Sequence, residues 1–260
     1  MAFVPHPQDA DLDFLAALLA PEGREREEVR RRLRQEPDLL AQALDHPDAL
    51  AHLRPAAEAR TVSPWLVFAL FLRAARRELG PGTAIPEWTG RREVVPVLDG
   101  EVARGALADE HLRRELERVL TAFTRLHPRA LAVYERGRLR RLRMSELDPD
   151  SLRQALPYAH GEVAADLLRR MADAYLFLAG VYPDHLVDRL GKDLEEWEVR
   201  GQGLYRTAAA HYEEGAPEWA RDLEKLAASF HAARRALNFV TKRFLARERP
   251  TWFVPMERGA

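Results

Sequence analysis

The chain has no cysteine. That excludes disulfides, thiolate zinc sites, cysteine-ligated iron–sulfur clusters and a cysteine nucleophile, and it fits a reducing cytoplasm. Lysine is nearly missing as well: Lys192, Lys225 and Lys242 are the only lysines among 40 basic residues. Asn238 is the sole asparagine and Ile85 the sole isoleucine. Such skew reads as a GC-rich bacterial genome, and scarce Asn and Cys are compatible with a thermophile. Charge of one sign is also lacking. The formal net charge is −1 although 31% of residues are charged, so nothing draws the whole chain to nucleic acid or anionic lipid. The longest apolar run, Trp65 to Leu72, is too short to cross a bilayer. The opening residues, Met1-Ala-Phe-Val-Pro-His-Pro, do not resemble a signal peptide. The expectation is a cytoplasmic protein with no membrane contact.

Recognisable catalytic motifs are missing too. There is no Walker A sequence, no Gly-x-Ser-x-Gly elbow, no His-Glu-x-x-His and no Glu-x-x-His. Gly201-Gln-Gly203 lacks the third glycine and the preceding strand of a dinucleotide fingerprint. His185-x-x-Asp188 and His211-x-x-Glu214 place two possible ligands on adjacent turns, a pairing that arises often by chance. Neither a metal nor another cofactor is expected.

What is present is helical pattern. Ala, Leu, Arg and Glu dominate, and β-branched residues are few. The reading is mainly α: a multi-helix protein with an antiparallel C-terminal three-helix unit and at most one small β-hairpin. Short helices punctuated by proline fill the start, with Pro37, Pro47 and Pro55 near helix starts. Ser63-Pro64 opens a helix that is apolar all round, hence central. Residues 80–100 read as extended, with Pro96 limiting any strand to an edge. One helix is expected over 101–126 and a hairpin around Gly137. A soft boundary near 145 separates an N-terminal section, 1–145, from a C-terminal section, 146–260, and the two read equally well as one continuous domain.

Three long helices are expected beyond that boundary, over 162–181, 194–213 and 219–244. The last carries Trp219, Leu223, Leu226, Phe230, Ala233, Leu237, Val240 and Phe244 at alternating steps of four and three, a narrow heptad seam. The expectation is that this seam is buried within its own chain rather than between two copies. The apolar tail at 250–255 is expected to dock.

Two resemblances can be stated. Val94-Val-Pro-Val-Leu-Asp99, Leu147-Asp-Pro149 and Phe177-Leu-Ala-Gly-Val-Tyr-Pro-Asp184 together resemble a group of helical proteins from GC-rich bacteria, a resemblance that implies no activity. Gly203-x-Tyr205-x-x-Ala208-x-x-x-Tyr212 is similar to one tetratricopeptide helix, without companion copies at a 34-residue period.

Two constellations carry possible chemistry. Asp173 sits among apolar residues and must be paired, shifted in pKa or turned to solvent. Tyr205, His211 and Tyr212 share a stripe on the next long helix, so the four define a candidate polar pocket for an enzyme or small-ligand binder. Arg136, Arg138, Arg140, Arg141 and Arg143 fall within eight residues and form the candidate nucleic-acid contact. The leading expectation is neither of these. It is a non-enzymatic helical interaction module, acting as adaptor, regulator or assembly subunit, with another protein as partner.

Overall fold

The computed structural model describes residues 6–20, 23, 25–58, 61–125, 129–135, 138–213, 215–246 and 253; for 54–58, 129–135, 139–140 and 142–143 it describes the backbone alone. The fold is mainly α. Helix α1 (Asp9–Leu19) opens a set of short helices that continues with α2 (Arg26–Gln35), α3 (Pro37–Leu44) and α4 (Ala49–Glu58). Pro37 takes the first position of α3 as expected, whereas Pro55 falls inside α4 rather than at its start. The central helix α5 (Pro64–Glu78) begins where Ser63-Pro64 predicts, and the Ser63 hydroxyl accepts from the Leu66 amide at 3.3 Å. Asp11 ties α1 to that start. Its carboxylate is fully buried and accepts from the Ser63 amide at 2.7 Å and the Ser63 hydroxyl at 2.6 Å.

The extended stretch closes into an antiparallel pair, β1 (Ile85–Gly90) and β2 (Glu93–Val97), in which Pro86 faces Pro96. A two-stranded pair needs hydrogen bonds on one side only, so both prolines are tolerated. The helix expected over 101–126 is two helices, α6 (Gly100–Ala108) and α7 (Glu110–Ala122). Asp109 divides them because its carboxylate caps α7, accepting from the His111 and Leu112 amides at 3.0 and 3.2 Å. Strands β3 (Arg129–Glu135) and β4 (Arg138–Met144) form the anticipated hairpin, so the chain carries this one and the β1–β2 pair.

Helix α8 (Pro149–Arg153) follows Asp148, which accepts from the Asp150 amide. Then come α9 (Gly161–Val181) and α10 (Leu194–Tyr212), close to their expected bounds. The heptad segment is not one helix but two: α11 (Pro217–Ala228) and α12 (Phe230–Val240), separated at Ser229 and followed by a π-helical turn over Thr241–Leu245. The seam survives the break. Leu223, Leu226, Phe230, Ala233, Leu237 and Val240 are buried, and Trp219 and Phe244 half-buried. All are covered within the chain: α11 packs on α10 and α7, while α12 packs on α9, α6 and α5. Helix α12 therefore joins the two sections, and one contiguous apolar cluster runs from Leu12 to Phe253. Of the tail, only Phe253 is described; it is buried and stacks on Phe68 at 5.6 Å between centroids. The rest of that expectation lies outside the described residues. No described helix is long and apolar enough to cross a membrane.

Candidate functional site

Asp173 is buried and fully used. Arg118, from α7, donates Nη1 to its Oδ2 at 2.8 Å and Nη2 to its Oδ1 at 2.6 Å. Tyr205, from α10, donates its hydroxyl to the same Oδ1 at 2.8 Å. Arg118 also donates Nε to Glu115 at 2.8 Å, and Glu115 in turn receives Arg169 at 3.0 Å. Burial opposes ionisation of Asp173, but the Arg118 charge and its bidentate bonds outweigh that cost and hold the carboxyl below the ordinary carboxylate value. Burial and then the Asp173 charge push the Tyr205 hydroxyl well above the usual tyrosine range. Three helices are thereby pinned through one ionised carboxylate, both of whose oxygens accept hydrogen bonds.

The other two residues of the expected pocket do not join this centre. Tyr212 donates to Asp166 at 2.6 Å, about two turns away in a part-buried position, and His211 is exposed. The buried stripe of α10 runs through Trp197, Gly201, Tyr205, Ala208 and Tyr212. His211 lies at its edge, past half-buried Leu204, and so rotates into solvent.

The arginine-rich hairpin is only partly described. Arg138 and Arg141 are exposed; three residues apart on β4, they take opposite faces of the pair. Arg136 lies outside the described residues, as do the side chains of Arg140 and Arg143. Among the described residues there is no group of three or more His, Asp or Glu able to hold a metal ion. Asp188 of the His185 pair accepts from the Arg92 amide at 2.6 Å, and Glu214 is not described.

A second buried polar centre was not foreseen. Arg235 is 0% exposed, although it follows Arg234 on what reads as a solvated helix face. It donates to the backbone oxygens of Ile85 and Pro86, both at 2.9 Å, to the Glu87 carboxylate, and it contacts Asp99 at 2.7 Å. Arg234 donates to Glu87 at 2.8 Å, to Asn238 at 3.1 Å and to Glu198. His231 lies between Glu198 at 3.2 Å and Asp99 at 3.8 Å. Asn238 completes the arrangement by donating to the carbonyl oxygens of Ala179 and Gly180, each at 2.9 Å. Burial works against ionised Glu198, and the His231 hydrogen bond and Arg234 charge overcome it, leaving its pKa lowered. The centre thus binds β1, α6, α9 and α10 to α12. Its only sequence signal was the sole asparagine, one turn beyond two arginines.

Three aliphatic residues close in sequence to this centre are exposed. Leu98 is 69% exposed and sits beside Asp99; Val102 is one turn further along α6, and Val199, 62% exposed, follows Glu198. Models of known protein families, curated proteins and solved structures were each compared with the chain, and none of the three comparisons finds a match.

Proposed function

We propose that this chain is a non-enzymatic interaction module that docks another protein against the exposed side chains of Leu98, Val102 and Val199. One observation carries the reading. These apolar residues adjoin, along the chain, a polar centre whose three carboxylates, Glu87, Asp99 and Glu198, all face arginine. Scattered exposed aliphatic residues are ordinary on a protein surface. Apolar residues on segments that an ion-paired base holds in place suit a contact that must keep its shape before a partner arrives. The Asp173 centre supports the same reading, since its buried carboxylate is bonded through both oxygens to Arg118 and Tyr205.

A photo-crosslinking residue placed at Leu98 or at Val199, in cells of the native host, should trap the same protein from both positions. The control position is Arg31, exposed on α2, which packs against α1 and α3. The partner is identified by mass spectrometry, and its capture should be lost when Leu98→Asp is combined with the crosslinker at position 199. Equal trapping from position 31, or no trapped protein at either site, would overturn the proposal.

A further inference from the structure

A cleft of about 440 Å³ lies where α3 and α5 meet α7, α9 and α11, far in the fold from the Leu98 surface and independent of the docking reading. Its volume falls within the range of roughly 300–1,000 Å³ usual for small-molecule sites. Trp65, Leu40 and Trp219 give it apolar walls, and Arg73, Arg118 and Arg169 enter it.

The acids of the cleft are paired, and two of the arginines that pair them keep N–H groups that make no hydrogen bond. Glu115 is taken by Arg118 and Arg169, Glu117 by Arg73, Glu110 by Arg114, and Asp222 faces His111 at 3.2 Å. Each nitrogen of Arg118 already donates, to Glu115 or to Asp173. Arg73 bonds only through Nη1, to Glu117 at 2.7 Å and to the Ala69 carbonyl oxygen at 3.1 Å. Arg169 bonds only through Nη2, to Glu115 at 3.0 Å. Among the described residues, Nη2 of Arg73 and Nη1 of Arg169 make no hydrogen bond and, unlike the buried Nε atoms, stay accessible. The two side chains as a whole are 6% and 9% exposed, so these N–H groups sit at fixed positions. A fixed guanidinium with open N–H groups is ready to donate to an acceptor that enters the cleft.

The lining balances four arginines with four acids, and the excess of cations lies behind Arg73. Asp45 is shared by Arg73, Arg76 and Arg77 at 3.9, 3.3 and 3.8 Å. Burial and then the Arg73 charge depress the pKa of neighbouring Arg113, as expected where cations outnumber their counter-charges. The Arg169 guanidinium carbon lies 5.3 Å from the Trp219 ring centroid, so an aromatic face supports the cation at the cleft wall. We infer that the cleft binds a small organic anion. Its carboxylate or phosphoryl oxygens accept from the unspent N–H groups of Arg73 and Arg169, and its apolar body packs on Trp65 and Trp219.

The test is titration of the full chain with benzoate and with phenyl phosphate, followed by calorimetry and by tryptophan fluorescence. Saturable binding of at least one probe is expected. A response to benzoate alone assigns a carboxylate ligand, and one to phenyl phosphate alone a phosphoryl ligand. Arg73→Lys and Arg169→Lys keep the positive charge but lose the guanidinium donors, and each should weaken binding about tenfold, the usual scale for a charge-assisted hydrogen bond. Trp219→Leu leaves both arginines in place and should weaken either aromatic probe without weakening inorganic phosphate. Circular dichroism identifies any variant that has failed to fold, and the remaining variants then carry the test. Absence of saturable binding to the wild-type chain, or affinity unchanged in every folded variant, would overturn the inference.

Discussion

Arg118→Met is expected to destabilise the chain by about 3–5 kcal/mol, the usual cost of removing one partner from a buried ion pair. The methionine fills most of the space, so the loss comes from charge rather than volume. It leaves Asp173 buried with only the Tyr205 hydroxyl, and Glu115 with only Arg169. The pH dependence should invert. In the wild type the folded pKa of Asp173 lies below its unfolded value, so its contribution is present above the unfolded pKa and is lost as pH falls through the folded one. In Arg118→Met only the charges of Arg169 and Arg170 and the Tyr205 hydroxyl are left to oppose burial, and the folded pKa is expected to rise above the unfolded value. The ionised carboxylate then penalises folding near neutrality, and the penalty is relieved as pH falls and the folded state takes up its proton. Urea unfolding at about pH 7 and about pH 5 reads both effects. Combining Arg118→Met with Asp173→Leu should restore much of the loss, because an apolar pair of similar size often replaces a buried ion pair at little cost. A loss below about 1 kcal/mol, the level of an exposed pair, would show that the pin across α7, α9 and α10 contributes no more than a surface contact.

The Asp173 centre also shows how far the sequence could be read. A carboxylate inside Met171-Ala-Asp-Ala-Tyr-Leu-Phe-Leu178 demands a partner on elementary grounds, and Tyr205 was nameable from the buried stripe of α10. Arg118 was not nameable. It lies 55 residues away, and its pairing depends on how α7 is laid against α9, which no local pattern encodes. His211 failed for a different reason. A stripe has edges, and one step of about 100° moves a residue from the packed face into water. The splits at Asp109 and Ser229 were hidden because apolar periodicity continues across them. The Arg234–Arg235 centre was hidden most completely. Positions between the seam residues of an isolated coiled coil face solvent, but α12 is surrounded by α5, α6, α9 and β1. Its arginines are buried because the neighbours bring Glu87, Asp99 and Glu198 to meet them. Helix content and the buried faces were thus legible, since they depend on residues a few positions apart. The polar centres draw on segments far apart in sequence, and only the three-dimensional arrangement reveals them.

Phe230→Ala should cost about 3–5 kcal/mol, the range for deleting a fully buried phenylalanine, with a melting temperature independent of protein concentration. Phe230 begins α12 and its ring reaches Gly201 in α10. That approach makes a sharper test possible. A Cβ built at Gly201 would lie 2.5 and 2.6 Å from Cε2 and Cζ of Phe230, and 3.1 Å from the Tyr175 Cβ. Gly201→Ala alone therefore forces the ring aside and should destabilise by about 1–3 kcal/mol, even after the gain in helix propensity. In the Phe230→Ala background the ring is gone and the added methyl enters the space it left. The double variant should then be more stable than the sum of the single losses implies, by about 1–3 kcal/mol, as for residues in direct contact. Denaturant midpoints for the four proteins measure this coupling. Additive losses would mean that α10 and α12 do not meet through this pair. A melting temperature that climbs with concentration, together with a dimeric mass, would instead move the seam from Trp219 to Phe244 to an interface between two copies of the chain. Coupled, concentration-independent losses are expected because every buried seam residue already has neighbours in its own chain, and Gly201, like Gly180 against Leu237, is a position where the seam leaves no room for a side chain.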